Sequence, residues 1–91
     1  MPTRTVTVVS SVGLHARPAS LFSRAAAQAG VPIMLTSPGG KTVNAASILA
    51  ILSLGIGHGE VVTLSSDGDG ADAALDGLVA LLSTDMDADE I

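Results

Sequence analysis

Two strand-like segments, 31–36 and 41–43, are separated by only four residues, Ser37-Pro38-Gly39-Gly40. Proline and glycine favour a tight reversal of the chain, whereas a connection between parallel strands needs about a dozen residues or more. The two segments are therefore predicted to form an antiparallel hairpin. This spacing excludes an all-parallel sheet.

Strand and helix patterns alternate along the rest of the chain. Thr5-Val6-Thr7-Val8 alternates polar and β-branched side chains, which is typical of a strand with one buried face. Apolar residues recur at helical spacing in three segments. The first two end at Gly30 and Gly55, and the third follows residues 66–69, which are predicted to supply its turn and its N-cap. The predicted strands are 3–10, 31–36, 41–43 and 60–65, and the predicted helices are 16–29, 44–54 and a third through 71–82. The order βαββαβα predicts an α+β fold in which helices cover one face of an antiparallel sheet.

Composition limits the size of the fold and the class of partner. A chain of 91 residues is predicted to be one domain, 1–91, with a solvated acidic tail at 85–91. Its core must be aliphatic, because 47% of residues are hydrophobic but there is one Phe and no Tyr or Trp. A net charge of −5 opposes binding to nucleic acid. The chain has no cysteine, no signal-peptide pattern at its start and no apolar run longer than 48–52, so a cytoplasmic protein without membrane insertion is expected.

His15 stands where the chain turns from the first strand into the first helix. Pro18 fits the first turn, where a missing N–H has no consequence, so His15 is predicted at or just before the N-cap. The amides of Ala16 and Arg17, the helix dipole and the Arg17 guanidinium then form an anion site beside the imidazole. No neighbouring acidic residue or second histidine completes a catalytic triad or a metal site. Local features alone leave an ordinary capping histidine equally open.

Three motifs resemble the HPr family, the histidine-containing phosphocarriers of the bacterial phosphoenolpyruvate-dependent sugar phosphotransferase system. They are Gly13-Leu14-His15-Ala16-Arg17-Pro18-Ala19, Val43-Asn44-Ala45-Ala46-Ser47-Ile48-Leu49 and Leu54-Gly55-Ile56. The resemblance implies an open-faced β-sandwich of four antiparallel strands and three helices. It also implies that His15 accepts a phosphoryl group on Nδ1 from phosphorylated enzyme I and passes it to sugar-specific IIA domains, while Arg17 stabilises that group. No cofactor or metal ion is implied, and a monomer is expected.

A carrier needs a surface that its partners can recognise. Residues on or beside the first two helices are candidates, because an apolar patch beside a reactive group often marks a partner site. Ordinary core packing remains open for Ile48, Leu49 and Leu52. The candidate partner-binding residues are Leu14, Ser20, Leu21, Arg24, Ile48, Leu49 and Leu52.

Two further polar residues have competing interpretations. Ser47 matches the serine that an HPr kinase phosphorylates in some bacteria, but a simple helix N-cap is favoured, partly because Ala46 stands where many members have lysine. His58 lies in the glycine-rich loop Gly55-Ile56-Gly57-His58-Gly59 and is interpreted as a loop histidine.

Other functions were weighed against the general sugar carrier. A specialised carrier of a nitrogen-linked or dihydroxyacetone-kinase branch is compatible with the motifs. A regulatory binding protein of the same fold is disfavoured by the presence of both His15 and Arg17. A small hydrolase that uses His15 as a base lacks an orienting carboxylate.

Overall fold

The computed structural model describes residues 2–10 and 13–84. It contains the seven predicted elements in the predicted order, so the α+β open-faced sandwich is confirmed. The predicted acidic tail, 85–91, lies outside the described residues. The elements are β1 (Thr3–Thr7), α1 (Ala16–Ala27), β2 (Met34–Thr36), β3 (Thr42–Asn44), α2 (Ile48–Leu54), β4 (Val61–Ser65) and α3 (Ala71–Leu82).

The sheet has the strand order β1-β4-β2-β3, and all its pairings are antiparallel. The predicted hairpin joins β2 to β3, with Thr36 opposite Thr42. Its turn is closed by the Ser37 N–H, which donates to the Lys41 carbonyl at 2.8 Å. β1 pairs with β4, which lies far from it in the sequence and follows α2.

The alternation along each strand separates a buried face of the sheet from an open one. Val6, Val62 and Leu64 are buried, whereas Thr3, Thr5 and Thr7 on β1 are exposed. The buried face packs against the helices, and the single aromatic residue, Phe22 of α1, is fully buried there. Each such side chain contributes about 1.5–3 kcal/mol when it leaves water, so burial on one face holds helices and sheet together.

The second helix begins later than predicted, at Ile48 rather than at 44. Asn44 is the last residue of β3, and its Oδ1 accepts a hydrogen bond from the Ala46 N–H at 2.9 Å. Its carbonyl accepts from the Ser47 N–H at 3.0 Å. Asn44 therefore forms a turn instead of a cap, a local use of the side chain that competes with helix formation.

Several other boundaries also differ from the predictions. β1 ends at Thr7 because the chain then turns towards α3, where the Val9 N–H donates to the Leu82 carbonyl at 3.2 Å. α1 ends at Ala27, and the reversal at Gly30 has φ of 81°. The N-cap of α3 is Gly70, with φ of 82°, and not a residue of 66–69. Within 2–10 and 13–84, no helix has both the length and the hydrophobicity needed to cross a membrane.

Candidate functional site

His15 is the N-cap of α1, as predicted. Its φ of −131° and ψ of 163° are extended, and its side chain makes no capping hydrogen bond. The His15 carbonyl accepts from the Ala19 N–H at 3.4 Å, while Pro18 is buried within the first turn. The backbone of His15 therefore starts the helix, and its partly exposed imidazole is not used to cap it.

The residues before His15 are held by the loop that follows α2. The Leu14 N–H donates to the Ile56 carbonyl at 2.9 Å, and the Leu14 side chain is fully buried. Gly13, with φ of 70°, donates its N–H to the Ser10 carbonyl at 2.9 Å. His15 is thus fixed by a buried neighbour on one side and by a helix on the other.

The first turn of α1 favours an anion. It contains no acidic residue, and Arg17 is exposed in it. Helix N-termini attract negative charge through their amides and dipole, and a guanidinium adds a fixed positive charge with a planar set of donors. No group of three or more His, Cys, Asp or Glu side chains lies together in the part of the chain that the structure describes.

An apolar surface lies on α1 and α2, which pack against each other. Leu49 is 78% exposed, and Ile48 and Leu52 are partly exposed beside it on α2. The whole α2 helix buries one side chain, that of Ile51. We define the α1–α2 ridge as the candidate residues that reach the surface, which are Ser20, Leu21, Arg24, Ile48, Leu49 and Leu52.

Leu14 has to be removed from the predicted partner-binding residues. Its side chain has no exposed surface and packs in the core with Phe22 and Ile56. Leu21 is an intermediate case, since it is half-buried and packs against the same core. Adjacency to His15 in sequence was a poor guide, because the chain turns Leu14 inwards immediately before the helix begins.

Ser47 lies at a helix N-cap and His58 lies in a loop, as the sequence predicts for each. Ser47 is the N-cap of α2, and its Oγ accepts from the Ala50 N–H at 3.3 Å. His58 is exposed in the turn between α2 and β4. A contact that sequence reasoning missed lies in the same turn, where Glu60 Oε1 accepts from the Gly57 N–H at 2.7 Å. The sequence signal that could have predicted this contact is an acidic residue three positions after a loop glycine.

Comparison with known proteins identifies the family. Residues 2–84 match the family described as "PTS HPr component phosphorylation site". The phosphocarrier protein HPr of Streptomyces coelicolor is 48% identical over 87 residues, which cover 96% of this chain and 94% of that protein.

Solved structures agree with this assignment. The crystal structure of an HPr from Bacillus anthracis is 41% identical, covers 89% of this chain and 95% of its own, and superposes with a TM-score of 0.85. An HPr dimer from Thermoanaerobacter tengcongensis is 42% identical, covers 89% of this chain and 92% of its own, and has a TM-score of 0.68. The chain therefore belongs to the HPr family of the phosphotransferase system, whose members are phosphocarriers rather than enzymes.

Proposed function

We propose that His15 is the phosphoryl acceptor of this carrier and that phosphorylated enzyme I is the donor. The observation that carries the proposal is the partly exposed imidazole at the N-cap of α1, which makes no capping hydrogen bond. The family that matches residues 2–84 is described as "PTS HPr component phosphorylation site". The phosphoryl group then passes to the sugar-specific IIA domains.

Transfer is a displacement at phosphorus. The Nδ1 lone pair of His15 forms a bond to the phosphorus atom while the bond between phosphorus and the donor breaks. This requires the neutral ring tautomer in which Nε2 carries the proton. In a second displacement, a nucleophile of the IIA domain forms a bond to the phosphorus atom while the phosphorus–nitrogen bond breaks, which returns His15 to its starting state.

The surroundings of His15 support a dianionic phosphoryl group. The first turn of α1 brings no acidic side chain towards it. Arg17 supplies a guanidinium from the same turn, and the backbone amides of Ala16 and Arg17 lie at the positive end of the helix dipole. Arg17 is therefore assigned to hold and neutralise the phosphoryl oxygens in both transfers.

The α1–α2 ridge is proposed as the docking surface for donor and acceptor. Leu49 is the most exposed large apolar side chain among the described residues. Ile48 and Leu52 extend the apolar area, and Arg24 supplies a charge at its margin. An apolar centre with a polar rim is the usual anatomy of a transient interface.

Regulation through Ser47 remains a prediction. The hydroxyl already caps α2, which accounts for this residue without a modification. A phosphate added there by an HPr kinase would place negative charge beside Ile48 and Leu49 and would disfavour docking. A specialised carrier role in a nitrogen-linked or dihydroxyacetone-kinase branch has no stronger support than the general sugar carrier.

The proposed site of action is the cytoplasm, where phosphoenolpyruvate is made, and the proposed active form is a monomer. A monomer leaves the α1–α2 ridge accessible to two partners in turn. A relative from Thermoanaerobacter tengcongensis has been described as a dimer. Measuring the oligomeric state of this chain therefore tests the proposed monomer directly. Light scattering at working concentration is expected to give the mass of one chain.

The decisive experiment uses the two histidines as a matched pair. Purified protein is incubated with phosphoenolpyruvate and enzyme I, and its intact mass is measured before and after acid treatment. Wild type and His58→Ala are expected to gain one acid-labile phosphate, whereas His15→Ala gains none. Phosphorylation of His15→Ala would overturn the assignment. Arg17→Ala is expected to be labelled at the same residue but more slowly.

A further inference from the structure

The carboxylate of Glu60 closes the turn between α2 and β4. Its Oε1 accepts a hydrogen bond from the Gly57 N–H at 2.7 Å. In the opposite direction, the Glu60 N–H donates to the Gly57 carbonyl at 3.3 Å. Hydrogen bonds to an ionised acceptor are shorter and stronger than neutral ones. The position of Gly57 is therefore fixed by the side chain of Glu60 as well as by the backbone.

Gly57 in turn supports the segment that precedes His15. A Cβ placed on Gly13 would stand 2.6 Å from the Cα of Gly57, so the two backbones are in direct contact. The neighbouring residue, Ile56, accepts the Leu14 N–H through its carbonyl at 2.9 Å. A shift of residues 56–57 would consequently move Gly13 and Leu14, and His15 follows directly in the chain.

The other end of the turn is held independently of the carboxylate. The Gly59 N–H donates to the Val8 carbonyl at 2.8 Å, and the Val8 N–H donates to the Glu60 carbonyl at 2.9 Å. These are backbone bonds to the residue that follows β1, and a change in the Glu60 side chain leaves them in place. The effect of removing the carboxylate should therefore fall on the side of the turn that touches Gly13.

We propose that Glu60 is a positioning residue for His15, acting through Gly57 and the Gly13–Leu14 segment. The inference rests on the proposed role of His15 as phosphoryl acceptor and adds a residue outside its motif. Phosphoryl transfer is sensitive to small displacements of the attacking atom. Glu60 keeps the imidazole in its productive place although it does not touch the phosphoryl group.

Four variants separate positioning from charge. Glu60→Ala removes the acceptor, Glu60→Gln keeps an acceptor oxygen without the charge, and Glu60→Asp keeps the charge on a shorter side chain. Asp67→Ala is the matched control, because it removes the same charge from an exposed acidic residue in a different loop. Each variant is also unfolded in urea, so that loss of the fold is measured separately.

The first readout is the NMR spectrum of the unphosphorylated protein, in which the His15 ring resonances report its position without any transfer. The second is the initial rate of labelling by enzyme I and phosphoenolpyruvate. Glu60→Ala and Glu60→Asp are expected to shift the His15 resonances and to lower the rate on the order of threefold to tenfold. Asp67→Ala is expected to stay close to wild type in both, and Glu60→Gln is expected to fall between wild type and Glu60→Ala, because a neutral oxygen makes a weaker bond to the Gly57 N–H.

The outcomes distinguish this inference from the function on which it rests. If wild type is not labelled at His15, the acceptor assignment fails, whatever the ring resonances show. If wild type is labelled but Glu60→Ala has wild-type resonances and rate, the positioning role is wrong. A Glu60→Gln variant as slow as Glu60→Ala, or an Asp67→Ala variant equally slow, would show that charge and not the hydrogen bond matters.

Discussion

The backbone of Gly13 passes so close to Ile56 that a Cβ on Gly13 would stand 2.4 Å from the Ile56 carbonyl oxygen. The same oxygen accepts the Leu14 N–H at 2.9 Å. Gly13 also has φ of 70°, a conformation that other residues adopt only with strain. This contact ties the segment leading to His15 to the loop after α2, and a glycine is required for both steric and conformational reasons.

Gly13→Ala is expected to lower the free energy of unfolding by about 3 kcal/mol or more, since strain and overlap with the Ile56 backbone add. It should also slow phosphoryl transfer, because the Gly13–Leu14 segment must move. Gly30→Ala is the matched control, with φ of 81° and nothing within 4 Å of the new Cβ. This control should lose only about 1–2 kcal/mol. Urea denaturation of both variants measures the difference, and equal losses would contradict the close approach.

Gly77→Ala is expected to stabilise the protein by about 0.5–1 kcal/mol. Gly77 lies inside α3, where alanine has the higher helix propensity, and nothing lies within 4 Å of its added Cβ. Gly68→Ala should have the opposite sign, because its Cβ would stand 2.7 Å from Cγ1 of Val31, a stiff β-branched side chain. Thermal unfolding of the two variants checks the signs, and a destabilised Gly77→Ala would refute the prediction.

Ser47→Ala is expected to lower the free energy of unfolding by about 1 kcal/mol, because the cap on the Ala50 N–H is lost. Ser47→Asp should retain most of the stability, since aspartate is a good N-cap. If the ridge docks partners, Ser47→Asp should nevertheless slow labelling by enzyme I through its added charge, whereas Ser47→Ala should not. Urea denaturation and labelling rates are compared in parallel. Identical rates for the two variants would argue against an electrostatic effect at this position.

Leu49→Ala and Ile51→Ala separate docking from folding on one helix. Leu49 is 78% exposed, so its truncation should change the free energy of unfolding by less than about 0.5 kcal/mol. It should instead raise the KM for labelling by enzyme I. Ile51 is fully buried, and its truncation should destabilise by about 2–5 kcal/mol. A Leu49→Ala variant with an unchanged KM would remove Leu49 from the docking surface.

Local patterns predicted the element types better than their ends. The hairpin from β2 to β3 and the position of His15 at a helix start follow from turn residues and proline placement, which act over a few residues. The predicted start of α2 was wrong. The Asn44 side chain can form either a helix cap or a turn, and it forms the turn because Asn44 belongs to β3. Sequence spacing does not report such a choice, since it depends on how far along β3 the pairing with β2 extends, and Asn44 is paired with Met34.

The sequence by itself determined the order of strands and helices and the place of His15 beside a guanidinium, because these depend on local conformational preferences and on the family motif. Tertiary structure decided which of several similar leucines faces solvent. Leu14 is fully buried and Leu49 is 78% exposed, although both are leucines in predicted docking positions. The contact from Gly13 to Ile56 was likewise decided by folding. Burial and close approach depend on residues far apart in the chain, and only packing brings those residues together.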